Sequence, residues 1–263
     1  MVIDVHAHLG HWYFPISEMT PSDLLRQMDR FGIDCTLVSS SLALRYDFVR
    51  GNRELAESLV STSRILAYVT VNLHYPQESI DQIHAYKDYR DSMGMRRFVG
   101  VKIHPMIHNK RFDTKAGLLV AEAALQADLP ILIHTYGSER ETPRQILPVL
   151  REFPDLKIIL AHAGGLDWHL AADIADSGPH VYAEICSSCS SPDKVLQLLD
   201  AFGSDRVLFG TDTTLFHPGY ALGMVQDTPL SEAQRVQVLG GNALQLFSIE
   251  DREQREGEHV HET

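Results

Sequence analysis

Val2-Ile3-Asp4-Val5-His6-Ala7-His8 opens the chain as a β-branched, largely apolar run that ends in two imidazoles. Residues two apart on a strand point to the same face, so His6 and His8 can project together toward one interior. Seven further runs of this kind cover residues 33–39, 65–72, 98–103, 131–134, 157–161, 180–185 and 206–210. Most are nearly continuous in apolar residues rather than alternating, the pattern of strands covered on both faces. Between them lie amphipathic stretches over 21–30, 52–62, 78–92, 114–127, 143–152, 166–176 and 192–202, with closing helices over 231–239 and 242–247. Thr20-Pro21-Ser22-Asp23, Asp113-Thr114 and Ser191-Pro192-Asp193 carry helix-start chemistry, while Phe31-Gly32 and Phe153-Pro154 carry stops. Eight strand–helix beats predict an α/β fold of the (β/α)8 TIM-barrel type.

No linker or low-complexity tract divides the 263 residues, so residues 1–249 read as a single barrel domain. The polar, charged tail over 250–263 reads as disordered, and its His259 and His261 as solvated. A formal charge of -12 argues against a nucleic-acid footprint and against docking on an anionic membrane. The N-terminus lacks a basic region followed by an apolar run, and no stretch reaches the roughly 18 apolar residues of a membrane span. A cytoplasmic location is expected. Cys35, Cys186 and Cys189 are too few for a disulfide framework, and the Cys186–Cys189 spacing has no second pair to complete a zinc knuckle. They read as reduced interior thiols.

Fourteen histidines are the compositional oddity, and their placement carries the chemistry. His6 and His8 end the first strand, Lys102-Ile103-His104 the fourth, His134 the fifth, His162 the sixth, and Gly210-Thr211-Asp212 follows the eighth. In such a barrel the active site lies at the C-terminal rim of the strands. Taken alone, His134 after Leu132-Ile133 reads as a hydrogen-bonded core imidazole and Asp212 as a turn residue. Recurrence at the same end of five strands argues for a shared site instead. His6, His8, His134 and the Asp212 carboxylate form a nitrogen–oxygen set suited to Zn2+ and tolerable for Mn2+ or Fe2+. A bound divalent ion would lower the pKa of its water to about 7.

The opening run resembles the first metal motif of the amidohydrolase superfamily. Gly100-Val101-Lys102-Ile103-His104-Pro105, Ile131-Leu132-Ile133-His134, Leu160-Ala161-His162-Ala163-Gly164-Gly165 and Leu208-Phe209-Gly210-Thr211-Asp212 resemble its later strand ends. Gly241-Asn242-Ala243-Leu244-Gln245-Leu246-Phe247 is similar to its closing helix. The match is best to the branch containing aminocarboxymuconate-semialdehyde decarboxylase, related aromatic-acid decarboxylases, hydrolases and lactonases. It spans nearly the whole chain and names no substrate.

The resemblance implies one divalent metal held by His6, His8, His134 and Asp212, with His162 as the catalytic imidazole. Asp212 would also move a proton. Lys102 has two readings: carboxylated and bridging a second ion that His162 would join, or an ammonium holding a substrate carboxylate or oxyanion. Glu184 ends the seventh strand and either faces the same cavity or is structural. Arg140 and Arg45 are candidates to pair with an anionic small-molecule substrate, and His11, Trp12, Tyr13 and Phe14 to wall the pocket. His104, His108 and His217 fall in rim loops without a role, while His74 and His84 read as structural or exposed. The leading expectation is hydrolysis of a small amide, lactone or ester by a metal-activated water. The alternative is decarboxylation of a small unsaturated or aromatic acid. A homodimer is expected by resemblance.

Overall fold

The computed structural model describes residues 1–60, 62–186 and 190–249. Eight parallel strands follow the chain order: β1 (Ile3–Leu9), β2 (Cys35–Ser40), β3 (Ile65–Thr70), β4 (Phe98–Ile103), β5 (Ile131–His134), β6 (Ile158–Ala161), β7 (Val181–Glu184) and β8 (Val207–Leu208). Each pairs in parallel with the next. The seam between β8 and β1 closes through Val5 N–H to Phe209 O at 3.0 Å, Asp212 N–H to His6 O at 2.7 Å, and a parallel bridge between Ala7 and Thr213. The fold is a (β/α)8 TIM barrel, as the eight beats predict. The tail over 250–263 and Cys189, both read above, lie outside the described residues.

Two layers of apolar packing build it. Ile3, Val5, Leu37, Leu66, Tyr68, Leu132, Ile159 and Leu208 fill the barrel, closed from below by Leu246 and Phe247. Ala7, Leu9, Val38, Val69, Val101, Ile103, Ile133 and Leu160 face the surrounding helices. In β1 the inward set switches from odd to even numbers, and an irregularity in the β1–β2 register between Asp4 and Ala7 makes the switch. Asp4 Oδ1 accepts the His6 N–H at 3.0 Å, taking that donor out of the ladder. A bulge of this kind re-aims side chains, and here it lets Ile3 and Val5 pack the interior while His6 and His8 also face it. In β4, a Cβ at Gly100 would lie 2.7 Å from the Tyr68 ring, so the glycine makes room for the buried tyrosine.

The helix starts behave as their sequence predicts. Thr20 and Asp23 form a reciprocal capping box on Pro21–Phe31, Thr114 caps Lys115–Gln126, and Ser191 caps Pro192–Phe202. Some segments differ from the expectation, and the helix expected over 78–92 runs over Pro76–Tyr86. The helix expected over 52–62 begins earlier, at Phe48–Ser58, because Asp47 accepts the Arg50 N–H at 2.9 Å and caps it. Pro218–Asp227 is helical though its weak periodicity and two glycines gave no signal. Among the described residues no helix is long and apolar enough to cross a membrane.

Arg97, fully buried below the barrel, donates through Nε to Asp91 Oδ2 at 2.6 Å and through Nη1 to the carbonyls of Thr62 and Ile65. It ties β3 and β4 to the loop that precedes β4. Removing the carboxylate alone would strand a buried guanidinium. Asp91→Ala is therefore expected to destabilise the fold by about 3–5 kcal/mol. A denaturant titration showing a loss below about 1 kcal/mol would assign the pair no structural weight.

Candidate metal centre

β1 and the end of β8 supply the tightest donor set. His8 Nε2 lies 3.0 Å and His6 Nε2 3.6 Å from Asp212 Oδ1, and donor atoms of all three residues fall within 4.8 Å of one another. Asp212 adopts φ 54°, and its N–H bonds to His6 O at 2.7 Å, which turns the carboxylate back over β1. Its Oδ1 is buried and has no aligned hydrogen-bond donor, despite the short approach of His8. A buried carboxylate oxygen left in this way, facing imidazole nitrogens, is a donor set that fits a divalent cation.

The far nitrogens of both rings are already held. His6 Nδ1 meets Glu184 Oε2 at 3.0 Å, and His8 Nδ1 meets Ser39 Oγ at 2.8 Å. A carboxylate on Nδ1 fixes the Nδ1–H tautomer and leaves the Nε2 lone pair for the cavity. Burial lowers the pKa of His6 and of His8, so both rings stand neutral, the form that ligates. Burial raises Asp212, but His8, His162 and Lys102 outweigh it and hold the carboxyl below its usual range. Lys102 is fully buried at the end of β4 with Nζ 2.8 Å from His6 Nε2. Burial lowers its pKa to about 8, against the pull of Asp212.

A line of contacts leads away from this set. His162 Nδ1 meets Cys186 O at 2.9 Å, His162 Nε2 meets His134 Nδ1 at 3.1 Å, and His134 Nε2 meets Glu141 Oε2 at 2.9 Å. Burial lowers the pKa of both imidazoles, that of His162 to about 3. Two neutral rings bring two N–H groups to three contacts, so the line is one donor short. His134 therefore stands one imidazole away from the close group of His6, His8 and Asp212. His104 stacks on it with ring centroids 3.8 Å apart.

Glu184 sits at the middle. Its Oε2 accepts from His162 N at 3.0 Å and from the Cys186 thiol at 3.0 Å, besides meeting His6, and its Oε1 accepts from Cys186 N. It fits because position 210 is glycine: a Cβ there would lie 2.3 Å from Glu184 Oε1. Burial pushes Glu184 up to about 7 while its donors pull the other way. The turn after β6 holds His162 at φ 62° and Ala163 at φ 42°, conformations that cost side-chain-bearing residues about 1–3 kcal/mol each. Lys194 Nζ on His162 O at 3.1 Å and Thr135 Oγ1 on Gly164 N at 3.0 Å stabilise it.

The sequence-predicted residues thus meet in one cluster at the strand ends: His6, His8, Lys102, His134, His162, Glu184 and Asp212. Trp12 is buried edge-on to His8 with centroids 5.0 Å apart and stacks on Phe14 at 5.5 Å. Arg45 lies over the Tyr13 ring at 3.2 Å. Arg140 is exposed on the turn Glu139–Glu141, whereas the next residue, Glu141, turns inward to His134. His11 is also exposed. His74 Nε2 bonds to His108 O at 2.8 Å, a structural role. Sequence reasoning missed Glu141 and the contact of Cys186 with the site. The Glu139-Arg140-Glu141 run placed carboxylates close after His134, but nothing in it said which of three adjacent residues faces in.

A closed barrel with imidazoles, a lysine and carboxylates gathered at its C-terminal rim defines a TIM-barrel enzyme whose site could hold a metal ion. The family model for amidohydrolases matches residues 3–249, and the chain belongs to the amidohydrolase family. No curated protein matches it. Among solved structures, 2,6-dihydroxybenzoate decarboxylase from Rhizobium is similar with TM-score 0.77 and 17% identity, over 94% of this chain and 98% of that one. 5-Carboxyvanillate decarboxylase from Sphingomonas paucimobilis follows with TM-score 0.75 and 15% identity, over 95% and 99%. A dihydroxybenzoic acid decarboxylase from Polaromonas, holding manganese and 2-nitroresorcinol, gives TM-score 0.74 and 18% identity, over 96% and 98%. At these identities the likeness is one of fold.

Because Glu184 orients His6, Glu184→Gln is expected to weaken divalent-cation binding by about 10- to 100-fold while the barrel stays folded. Competition with a metal-sensitive dye, beside circular dichroism, measures it. Unchanged affinity would deny Glu184 this role.

Proposed function

We propose that this protein is a metal-dependent decarboxylase of a small aromatic or unsaturated acid. The single observation that carries the reading is a buried cationic group, Lys102, held 2.8 Å from His6 Nε2 in the cluster that also contains the Asp212 carboxylate, with Trp12 edge-on to His8 and stacked on Phe14. An anion-holding group, a proton-moving atom and a flat apolar face are what such an acid requires. The decarboxylase neighbours, which align over nearly the whole chain, support it. They also favour decarboxylation over the hydrolysis of an amide, lactone or ester that the sequence reading placed first.

His6, His8 and Asp212 would hold the ion, with His134 joining them on reorientation. When bound, a divalent ion supplies a fixed positive charge that orients a substrate carboxylate and adjacent oxygen. The manganese in the Polaromonas neighbour favours Mn2+ over the Zn2+ of the sequence reading. Lys102, as an ammonium, draws the substrate's anionic oxygens into the cavity. Arg45, half-buried over Tyr13, would pair with a second anionic group of the substrate. Asp212 is ionised, so it first takes a proton from a substrate hydroxyl onto Oδ2, the carboxylate oxygen not turned to His6 and His8. That proton then passes to the carbon that bore the carboxylate. The carbon–carbon bond breaks, CO2 leaves, and the electron pair left on carbon forms the new C–H bond. His162, held by Cys186 O and His134, shapes the cavity and polarises the substrate. Burial of the set excludes water from the carbon during protonation.

The test is release of CO2 from a panel of hydroxybenzoates, run beside hydrolysis of a lactone panel. Decarboxylation with no lactone turnover is expected, and the reverse result would return the protein to the hydrolase reading. Asp212→Asn should lower turnover by about 10²–10⁴-fold. His162→Asn should keep the ion yet lose most turnover, by metal analysis and rate on the same sample. If His162→Asn sheds an ion, the single-ion arrangement is wrong.

A further inference from the structure

Behind the first donor set, four other donors face one another, and the decarboxylase reading leaves one of them, the Cys186 thiol, without a part. Cys186 Sγ lies 3.0 Å from Glu184 Oε2 and 3.4 Å from both His6 Nδ1 and His162 Nδ1, and His6 Nδ1 lies 3.0 Å from Glu184 Oε2. All four residues are buried, and their donor atoms fall within 4.8 Å of one another. With metal–ligand bonds near 2.0–2.3 Å, a tetrahedral site has ligand–ligand edges of about 3.3–3.6 Å. The four recorded separations are within a few tenths of an ångström of such edges.

We propose that His6, His162, Glu184 and Cys186 form a second cation site, selective for a thiophilic divalent ion, and that an ion there competes with the first centre for His6. Thiolate and carboxylate together balance the two positive charges, and a sulfur ligand selects soft ions such as Cd2+ or Zn2+ over Mn2+. The proton count closes. The thiol proton leaves to solvent, and in each ring the proton on Nδ1 passes by way of solvent to Nε2. His162 Nε2 then donates to His134 Nδ1, and His134 Nε2 donates to Glu141 Oε2. The ion thus takes His162 Nδ1 from Cys186 O and leaves two N–H groups for the two contacts of the line that remain.

His6 is where the two sites collide. A neutral imidazole has a single lone pair. Ligation through Nδ1 places the proton on Nε2, which removes His6 from the set with His8 and Asp212 and costs Lys102 its acceptor. A thiophilic ion would therefore inhibit by dislodging the first ion. This antagonism rests on the reading that His6 Nε2 serves the first ion, whereas the sulfur site itself does not.

Titration of the manganese-loaded enzyme with Cd2+ tests both parts. An ultraviolet thiolate–cadmium charge-transfer band is expected to saturate near a single equivalent, with release of manganese measured on the same samples. The band should persist in the Cys35→Ser, Cys189→Ser double variant and vanish in Cys186→Ser. A band that survives in Cys186→Ser overturns the proposal. Should Cys186→Ser fail to fold, anomalous diffraction from cadmium in the wild-type protein decides. A peak within bonding distance of Cys186 Sγ supports the site, and a peak elsewhere ends it. A Cys186-dependent band without manganese release leaves the sulfur site standing and overturns the assignment of His6 to the first ion.

Discussion

The contact between Glu184 Oε2 and His6 Nδ1, 3.0 Å long and wholly buried, is the one on which the site depends. A carboxyl taken out of water is costly unless its lone pairs are met. Glu184 meets that requirement with donors from β1, the turn after β6 and its own loop, in a space that exists only because residue 210 is glycine. One side chain thereby fixes the tautomer of His6, the path of the strained His162 turn and the position of the Cys186 thiol. Replacing any partner would leave an unmet polar group in the barrel mouth, so the ring nitrogens near it have little freedom to wander.

The barrel seam imposes the second constraint. Thr211 donates from N and Oγ1 to the two oxygens of Asp4, at 2.9 and 2.6 Å, and Asp4 also holds the His6 N–H. The same carboxyl that bulges β1 therefore anchors the chain just before Asp212. Bulge and seam together bring an imidazole and a carboxylate from opposite ends of the sequence to 3.0 Å. Among the non-glycine residues with left-handed backbone are His162 and Asp212, and both carry candidate reacting groups. Strain kept at such positions is overdetermined by the rigid strands on either side.

Much of this was legible in the sequence because it follows from periods. Near-continuous apolar runs gave the eight strands, and strand-end positions gave His6, His8, Lys102, His134, His162 and Asp212. What period cannot give is phase within a short turn or a change of phase within a strand. Arg140 and Glu141 differ by one residue, and the turn Glu139–Glu141 alone decides that the carboxylate goes in and the guanidinium out. Ile3, Val5, His6 and His8 share one interior only through the bulge, which a strict alternation would forbid. Cys186 read as an inert interior thiol because its spacing matched no motif. Its contacts come from β1, the turn after β6 and Glu184 two residues before it.

The electrostatics of the cavity explain why one place should both repel protons and attract a cation. Burial, the Lys102 charge and the neighbouring rings all act to lower the pKa of His6. A ring held neutral keeps a lone pair, and in this buried group the Nε2 atoms of His6 and His8 face Asp212. Protons could relieve this crowding only by charging imidazoles that the same burial keeps neutral. A divalent ion relieves it differently, because it concentrates positive charge at one point that several donors share while leaving each ring formally neutral. The arrangement that suppresses imidazolium is, for the same reason, one that favours metal.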